Sequence, residues 1–387
     1  MKVNKHYCKK LAAIVLAVAM AVLCSSCWNY IEISKLAVIM GFSVDKPESE
    51  GVYNVGVQIV VAHVLASEGT TEAYMMEQAD GFGMQNAFFN IRRKTGKMLF
   101  AKNNQIIIIS EEVAREGIVP VIDFFVRGVD GRLGELLAIS KGSSAFDLLA
   151  LPYSTEKFPA LHINKTLQRQ DFNADIKETS VLDFANACLS NTNCPIVPVL
   201  SKSDDSCAEY VESAVFKDGK MVGTISTEET LMLNMCQAKI ATTSMIVFVD
   251  GDYFNLDVNS TVLKSHYDKN GDSYAAKYEI IVEYTIIDTN STRNLSEPQI
   301  IEQISTALND KLQGIFEALV SRSKEFNSDF FGIGEEIYNR YPKASKHTLD
   351  NWNTEYGKVP ISATFAINAF KTGLILNTLT INGGASK

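Results

Sequence analysis

The first residue in the chain whose surroundings predict chemistry is Cys27. Four lysines precede a run of thirteen uncharged apolar residues at positions 11–23, and Ser25 and Ser26 then precede the cysteine. A basic start, a short apolar stretch and small residues before a cut are typical of a secretory signal peptide. Small residues followed by cysteine form a lipobox, in which the thiol takes a diacylglyceryl group before cleavage. We therefore predict that residues 1–26 are removed and that Cys27 carries S-diacylglycerol and N-acyl chains such as palmitate.

Other interpretations of this segment remain open. Thirteen helical residues rise about 20 Å, short of the roughly 30 Å hydrocarbon core, so a retained transmembrane helix is disfavoured. An ordinary signal peptide cut near Ser25 is the alternative to lipidation, because Cys24 stands three places before Cys27, where leucine is usual. Cys24 and Cys27 also form a CxxC pair, but a redox pair belongs at the start of a helix in a βαβ unit.

The remaining sequence contains few groups that indicate catalysis. It has no HExxH motif, and Gly41-Phe-Ser43-Val-Asp45 fails the nucleophile elbow G-x-S-x-G at its last position. Asp268 to Glu279 partly matches a calcium loop, with an Asn-Gly turn between strands as the competing interpretation. The cluster of Asp123, Arg127, Asp130 and Arg132 is typical of surface ion pairs, with an anion or partner site as the alternative. We predict no catalytic, cofactor-binding or metal-binding residues, and hence no enzyme.

Composition limits the partners of the protein. The chain has 387 residues and a formal net charge of −9, and its 46% hydrophobic content supports sizeable cores. Such an acidic chain is a poor candidate for nucleic acid and has little overall attraction to anionic lipid, so the acyl chains must provide the anchor. Cys188, Cys194, Cys207 and Cys236 remain beyond the anchor. Three disulfide pairings are conceivable, but cores of this size favour free thiols.

The first half of the sequence alternates predicted strands and helices. Runs at 36–44 and 52–64 around a Pro/Gly turn predict a hairpin, and the four isoleucines at 106–109 predict a strand buried on both faces. Helical spacing and capping residues predict helices at 84–94, 111–115, 120–126, 145–149 and 180–189. The segment 151–175 has no clear pattern.

The second half predicts antiparallel sheet with one long helix. Asp218-Gly219 between apolar runs predicts a tight hairpin, and Ser226 with Glu229 forms a capping box. Strands are predicted at 240–249, 253–263, 278–288, 361–370 and 374–381, and a helix at 329–341. A capping Ser296 precedes a predicted helix of about 28 residues with one apolar stripe: Ile300, Ile304, Leu308, Leu312, Ile315, Phe316 and Leu319.

These patterns predict a multidomain α/β and α+β protein. Mixed sheets pack with helices, and the C-terminal half is antiparallel, hairpin-rich and contains the long helix. The polar stretch 201–206 is the best linker. The predicted units are the signal at 1–26, an N-terminal α/β region at 27–200 with a break near 150, and a C-terminal α+β domain at 207–387.

Several runs together resemble the Ger(x)C family, the lipoprotein C subunits of nutrient germinant receptors in endospore-forming bacteria. The resemblance covers nearly the whole mature chain, and it depends on the order of motifs rather than on a single one. The runs are Cys27–Ile33, Gln105–Gly117, Asp123–Arg132, Lys141–Leu149 and Ala214–Gly223, followed by Glu229-Thr230 and Trp352. The chain departs from the family pattern at Asn29, where aspartate is usual.

The resemblance implies a non-enzymatic subunit required for receptor assembly or signalling during germination. It would be anchored at the outer face of the spore inner membrane beside two integral-membrane subunits, in a fold of packed α/β domains. The alternative function is a solute-binding lipoprotein of an ABC importer. Such a binder should show repeated βα units with a parallel sheet in each lobe, which the hairpin-rich second half disfavours.

Overall fold

The computed structural model describes most of the chain from Glu32 to Lys371. The residues outside the description are 1–9, 11–12, 18–19, 21–31, 48, 62–72, 129–130, 154–155, 169–173, 191, 204–206, 238–241, 271–272, 296, 343–348 and 372–387. The predicted strand at 374–381 therefore lies outside it. None of the helices in the described part of the chain is both long and apolar enough to cross a bilayer.

A nine-stranded mixed sheet occupies the first part of the chain. Its strands are β1 (Leu36–Asp45), β2 (Val52–Val60), β3 (Tyr74–Phe82), β4 (Met98–Phe100), β5 (Ile106–Ser110), β6 (Leu136–Lys141), β7 (Ile196–Lys202), β8 (Ala208–Lys217) and β9 (Lys220–Ile225). The order is β3-β2-β1-β5-β6-β7-β8-β9, and β4 pairs with the start of β1. The central strands β1, β5, β6 and β7 are mutually parallel, whereas the outer strands pair antiparallel.

Helices cover both faces of this sheet. They are α1 (Gly83–Thr95), α2 (Glu111–Glu116), α3 (Val119–Arg127), α4 (Ala145–Leu149), α5 (Pro159–Leu167) and α6 (Val181–Leu189). Apolar residues of α1, α2, α3 and α6 pack in one core, and those of α4 and α5 pack in a second. The four isoleucines of β5 are fully buried and alternate between these two cores, which confirms the predicted two-sided burial.

A four-stranded sheet forms the second part of the structure. Its strands are β10 (Thr243–Val249), β11 (Asp252–Asn270), β12 (Ser273–Thr289) and β13 (Ile361–Lys371), in that order. The strands β10, β11 and β12 form an antiparallel meander, and β13 joins β12 in parallel. Helix α8 (Pro298–Glu325) follows β12, and the shorter helices α9 (Ile333–Arg340) and α10 (Trp352–Glu355) come before β13.

The long helix α8 packs its predicted apolar stripe onto the second sheet. It has the expected 28 residues, and all seven predicted core positions are buried: Ile300, Ile304, Leu308, Leu312, Ile315, Phe316 and Leu319. Glu297 is the N-cap, with Pro298 in the first helical position, while the predicted cap Ser296 lies outside the described residues. Proline suits that position because its missing N–H has no partner inside the helix.

The Asp218-Gly219 turn closes the β8–β9 hairpin as predicted. Both residues adopt the left-handed conformation, with φ of 50° and 75°, and the flanking lysines, Lys217 and Lys220, pair directly. A Cβ atom at position 219 would lie 2.3 Å from Val119 Cγ2, so this turn requires glycine for space as well as for φ.

This hairpin extends the first sheet, because β8 pairs with β7 across the predicted linker at 201–206. Residues Ser201 and Lys202 belong to β7 itself, and 204–206 lie outside the described residues. A single hydrogen-bonded sheet thus crosses the predicted division at 200/207. The division itself stays a prediction about how the chain is organised.

Helix α7 (Thr227–Cys236) connects the two sheets. Its capping box is confirmed, since the Ser226 hydroxyl accepts from Glu229 N at 3.1 Å and the Glu229 carboxylate accepts from Ser226 N at 2.7 Å. From Glu229 to Cys236 every residue is buried. Its apolar side chains pack in one core with residues from both sheets, including Val215 and Tyr278. Both halves of the chain therefore share a hydrophobic core.

Candidate functional site

The predicted lipid-attachment residue, Cys27, lies outside the described residues, so its lipidation stays a prediction. The described chain resumes at Glu32 after the gap at 21–31, and one turn of 3-10 helix at Ile33–Lys35 leads directly into β1. We call the nearby sheet margin the tether edge. It contains the first residues of β1, β3 and β4, the last residues of β2 and the last turn of α1. The register pairs Leu36 with Met98 and Val60 with Tyr74 at this edge.

A cleft of about 510 Å³ lies where the loops of the first sheet meet the C-terminal helices. The end of α6 and the loop after it line one side and contribute Cys188 and Cys194. The β8–β9 turn lines the same side, and Asp329 and Trp352 line the opposite side. A neighbouring cavity of about 380 Å³ shares Cys194 with it. The halves of the protein thus meet around this cleft.

Asp329 organises the C-terminal side of the cleft. Its side chain is almost fully buried and accepts hydrogen bonds from Ile333 N at 3.0 Å, Gly334 N at 2.7 Å and Trp352 Nε1 at 3.0 Å. Burial raises the pKa of this carboxyl group to about 6, against the opposing effect of these donors. The Asp329 carbonyl also accepts from Cys194 N at 3.3 Å, which links α9 and α10 to the first half of the chain.

The motif Gly332-Ile-Gly334, which begins like a phosphate-binding loop in the sequence but does not continue as one, has a structural explanation. Gly332 has φ of 76° and is the N-cap of α9, whose start is bound by Asp329. A Cβ atom at Gly334 would lie 2.5 Å from Thr192 Cβ and 2.8 Å from Trp352. The glycines thus permit the local packing at the cleft. The buried Asp329 carboxylate accepts from the N–H groups of Ile333 and Gly334, where a phosphate would have to bind.

The thiols of the cleft are poor nucleophiles. Burial raises the pKa of Cys188 to about 11, with the neighbouring Cys194 as a second cause, and burial likewise raises the pKa of Cys194. Thiols with a raised pKa carry little reactive thiolate at neutral pH. Cys207 and Cys236 lie elsewhere in the fold, and all four cysteines are unpaired in the structure.

The other candidate groups do not come together as a site. Asp123 and Arg127 form an exposed pair on α3 with Oδ1 and Nε 2.6 Å apart, whereas Asp130 lies outside the described residues. The carboxylate of Glu279, the last position of the partial calcium-loop match, accepts from Lys277 Nζ at 3.1 Å. Among the described residues, no group of three or more His, Cys, Asp or Glu side chains is placed to hold a metal ion.

Glu135 is a buried acid that the sequence did not single out. Its side chain is 2% exposed at the start of β6, where Oε1 accepts from Arg132 N at 3.0 Å and Oε2 has no hydrogen-bond partner. Burial raises the pKa of this carboxyl group to about 7, and the Arg132 N–H partly opposes that shift. The signal for its burial is its position just before the apolar run 136–139, which is weak from sequence alone.

We expect Glu135→Gln to stabilise the protein at pH 8. The Glu135 carboxyl group keeps its proton up to about pH 7 in the folded state, whereas in the unfolded chain it loses the proton near pH 4.5. The free energy of unfolding therefore falls as the pH rises from 4.5 to 7. The amide does not titrate, keeps an acceptor for Arg132 N and can donate to the unpartnered Asn104 Oδ1. Urea unfolding at pH 8 should show a gain of about 2 kcal/mol that shrinks toward pH 4.5.

The matched control for this prediction is Glu209→Gln on β8, which removes the same charge from an exposed position. It should change stability by less than about 0.5 kcal/mol at either pH. A Glu135→Gln gain that was equal at pH 4.5 and pH 8 would contradict the assigned titration.

Comparisons with known proteins match almost the whole described chain. The family model "Spore germination protein N-terminal domain" matches residues 29–202, and "Spore germination B3/ GerAC like, C-terminal" matches residues 212–373. Residues 203–211, from the end of β7 to the middle of β8, separate the two matches.

Individual relatives match over nearly their full length. Spore germination protein KC of Bacillus subtilis (strain 168) is 23% identical, over 96% of this chain and 98% of that protein. Putative spore germination protein YfkR of the same strain is 20% identical, over 95% and 98%. The crystal structure of the GerBC protein superposes with a TM-score of 0.56 at 14% identity, over 85% of this chain and 97% of that one. The fold is therefore shared with a solved structure.

Proposed function

The chain belongs to the Ger(x)C family of spore germination proteins, and from this premise we propose that it is the lipid-anchored subunit of a nutrient germinant receptor. In this proposal the subunit is required to assemble or operate the receptor during germination. Its partners are the integral-membrane subunits of the same receptor and the membrane lipid. Its place is the outer face of the spore inner membrane.

One observation carries the proposal. The family match begins at residue 29, two positions after Cys27, and continues to residue 373. A lipobox cysteine directly before the first family residue is the arrangement expected of an exported protein that is attached by its first residue. Two or three acyl chains, at about 0.8 kcal/mol per buried CH₂, are sufficient for stable attachment. We propose the division 1–26, 27–200 and 207–387 as the domain organisation of this subunit.

The chemistry of the cleft supports the proposed non-catalytic role. Its thiols carry raised pKa values, and its buried carboxylate, Asp329, is engaged by three donors. The Asp329 carboxylate bound in this way holds the C-terminal helices α9 and α10 and is not free to react with a substrate. The proposed acyl anchor at Cys27 would raise the effective concentration of the folded protein beside the membrane subunits, so a weak interface could hold the complex together.

The alternative of a solute-binding lipoprotein finds less support. A two-lobed binder needs a parallel sheet in each lobe, with its ligand between them. In the second sheet the strands β10, β11 and β12 run antiparallel, and only β12 and β13 form a parallel pair. The first sheet also continues into the second half through β8 and β9.

The proposal is tested by deleting the gene in the spore-forming host and removing any paralogous C subunit. Spores of the deletion strain should lose the response to the nutrients that the parent recognises, and the intact gene should restore it. An affinity-tagged copy should co-purify the integral-membrane subunits from detergent-solubilised spore membranes. A parent-like nutrient response from the deletion strain would overturn the proposal.

A further inference from the structure

We propose that the tether edge is a docking surface for an anionic phospholipid bilayer, so that the protein body rests on the membrane in one orientation. This inference rests on the proposed lipid anchor at Cys27, which places the tether edge next to the membrane. It adds a second contact that involves the folded domain itself.

Five cationic side chains gather at the tether edge. The pairing of Leu36 with Met98 puts Lys35 and Lys97 side by side, each directly before its strand. Helix α1 ends at the same place, because its C-cap Gly96 leads at once into β4. The last turn of that helix supplies three more cations, and all five side chains are exposed: Lys35, Arg92, Arg93, Lys94 and Lys97.

Four acids in and beside these segments partly offset the five cations. Glu32 lies 3.7 Å from Lys35 Nζ, and Glu77 lies on β3, three residues in from the edge. The segment 62–72, outside the described residues, adds Glu68 and Glu72 between β2 and β3. The edge thus keeps a positive balance in a chain whose net charge is −9. Acids lie instead at the other end of β1, where Asp45, Glu111 and Glu112 line a separate pocket.

Apolar groups lie between the cations. A cavity of about 510 Å³ opens at the edge and is lined by Leu36, Val38, Ile59, Val60, Val61 and Met75, with Lys97 beside them. The side chains of Met75 and Met98 are 41% and 40% exposed. Long cationic side chains with apolar neighbours suit the region of lipid headgroups, because their stems contact apolar surface while the charges reach phosphate.

The length of the tether brings this edge to the bilayer. Lys35 lies eight positions after Cys27, so the chain between them spans at most about 28 Å. Its first residues include Trp28 and Tyr30, side chains that prefer the membrane interface. Within that reach the cations can enter the surface field of anionic lipid, which extends about one Debye length, or roughly 8–10 Å.

The test uses the mature chain without acyl groups, produced from Trp28 onward so that every described residue from Glu32 is retained. It is sedimented with vesicles of phosphatidylcholine alone or with 30% phosphatidylglycerol. We expect at least about tenfold stronger binding to the anionic vesicles at low salt, and loss of that difference at high salt. Equal binding to both vesicles would overturn the proposal.

The edge variant is Arg92→Gln/Arg93→Gln/Lys97→Gln, which leaves Lys94 and its bond to the Gln78 carbonyl intact. Each cation near an anionic surface raises the affinity for that surface about fivefold, so this variant should bind the anionic vesicles at least about tenfold more weakly than the parent. The matched control, Lys202→Gln/Lys264→Gln/Lys358→Gln, removes three exposed cations elsewhere and should bind as the parent does. Equal losses in both variants would show attraction by general charge and would also overturn the proposal.

Thermal melts of both variants exclude misfolding as the cause of lost binding. The outcome is also separable from that of the lipid anchor. Vesicle binding by the unacylated chain depends only on the tether edge, so a negative result would not count against acylation at Cys27. Conversely, absence of acyl chains on Cys27 in spores would leave the vesicle result unchanged.

Discussion

The free energy of unfolding of the Asp329→Ala variant should be about 3 kcal/mol lower than that of the parent. The substitution leaves the N–H groups of Ile333 and Gly334 and the indole N–H of Trp352 without their acceptor in a buried place. Each bond to a charged acceptor contributes about 1.5–3 kcal/mol, and a buried donor left alone costs a further desolvation penalty. The parent also pays to bury this carboxylate, as its raised pKa shows, so the net loss is smaller than the sum of the three bonds.

Urea unfolding of the mature chain at pH 7.5 measures this loss. Trp352→Phe removes one of the three donors and should cost about 1 kcal/mol. Asp350→Ala removes an exposed aspartate close by in the sequence and should cost less than about 0.5 kcal/mol. If Asp329→Ala unfolded at the same urea concentration as Asp350→Ala, the buried carboxylate would not hold α9 and α10 in place.

Local patterns were sufficient to predict much of the fold. The run of isoleucines in β5, the stripe of α8 and the Asp218-Gly219 turn each depend on neighbours a few residues away. The predicted helices at 145–149 and 180–189 form with Ser144 and Ser180 as their N-caps, and a cap is likewise formed by residues within one turn. In such segments propensity, periodicity and tertiary packing all favour the same structure.

Long-range pairing was the part that the sequence did not predict. Nothing local indicates that β8 pairs with β7, so the hairpin was assigned to a separate C-terminal domain although it extends the first sheet.

Helix α5 lies in a segment without a clear pattern, and it starts at Pro159, which favours a first turn but does not specify the length. The predicted helix at 329–341 is shorter, Ile333–Arg340, because Gly332 is its N-cap with φ of 76° and the Asp329 side chain accepts from Ile333 N before the helix begins.

The residues of the candidate site also fall into those that local sequence indicates and those that depend on packing between distant segments. The proposed lipid-attachment residue, Cys27, was assigned from its immediate neighbours, because a lipobox is a local pattern, and it lies outside the described residues. The burial of Glu135 and Asp329 depends on which distant segments pack over them, and single acids in mixed sequence give no sign of that. The cations of the tether edge are also dispersed in the sequence, and they come together because β1 pairs with β4.

The substitution Cys27→Ala should abolish the nutrient response of spores although the folded domains stay intact. Without the thiol no diacylglyceryl group can be attached, and the edge cations alone offer a salt-dependent contact in place of acyl chains. The effective concentration beside the membrane subunits then falls, and a weak interface that depends on tethering is lost. The variant should appear as unprocessed or released protein in spore fractions, and germination should match that of the deletion strain.

The matched control is Cys207→Ala, which removes a thiol of the folded body and should leave both processing and germination as in the parent. Mass spectrometry of the mature parent should find the acyl chains on the peptide that begins at Cys27. A Cys27→Ala protein that still partitions with membrane at mature size would show that another segment anchors the chain. If that variant also germinated normally, the tether would be dispensable, and the interface with the membrane subunits would have to be strong enough to hold the body alone.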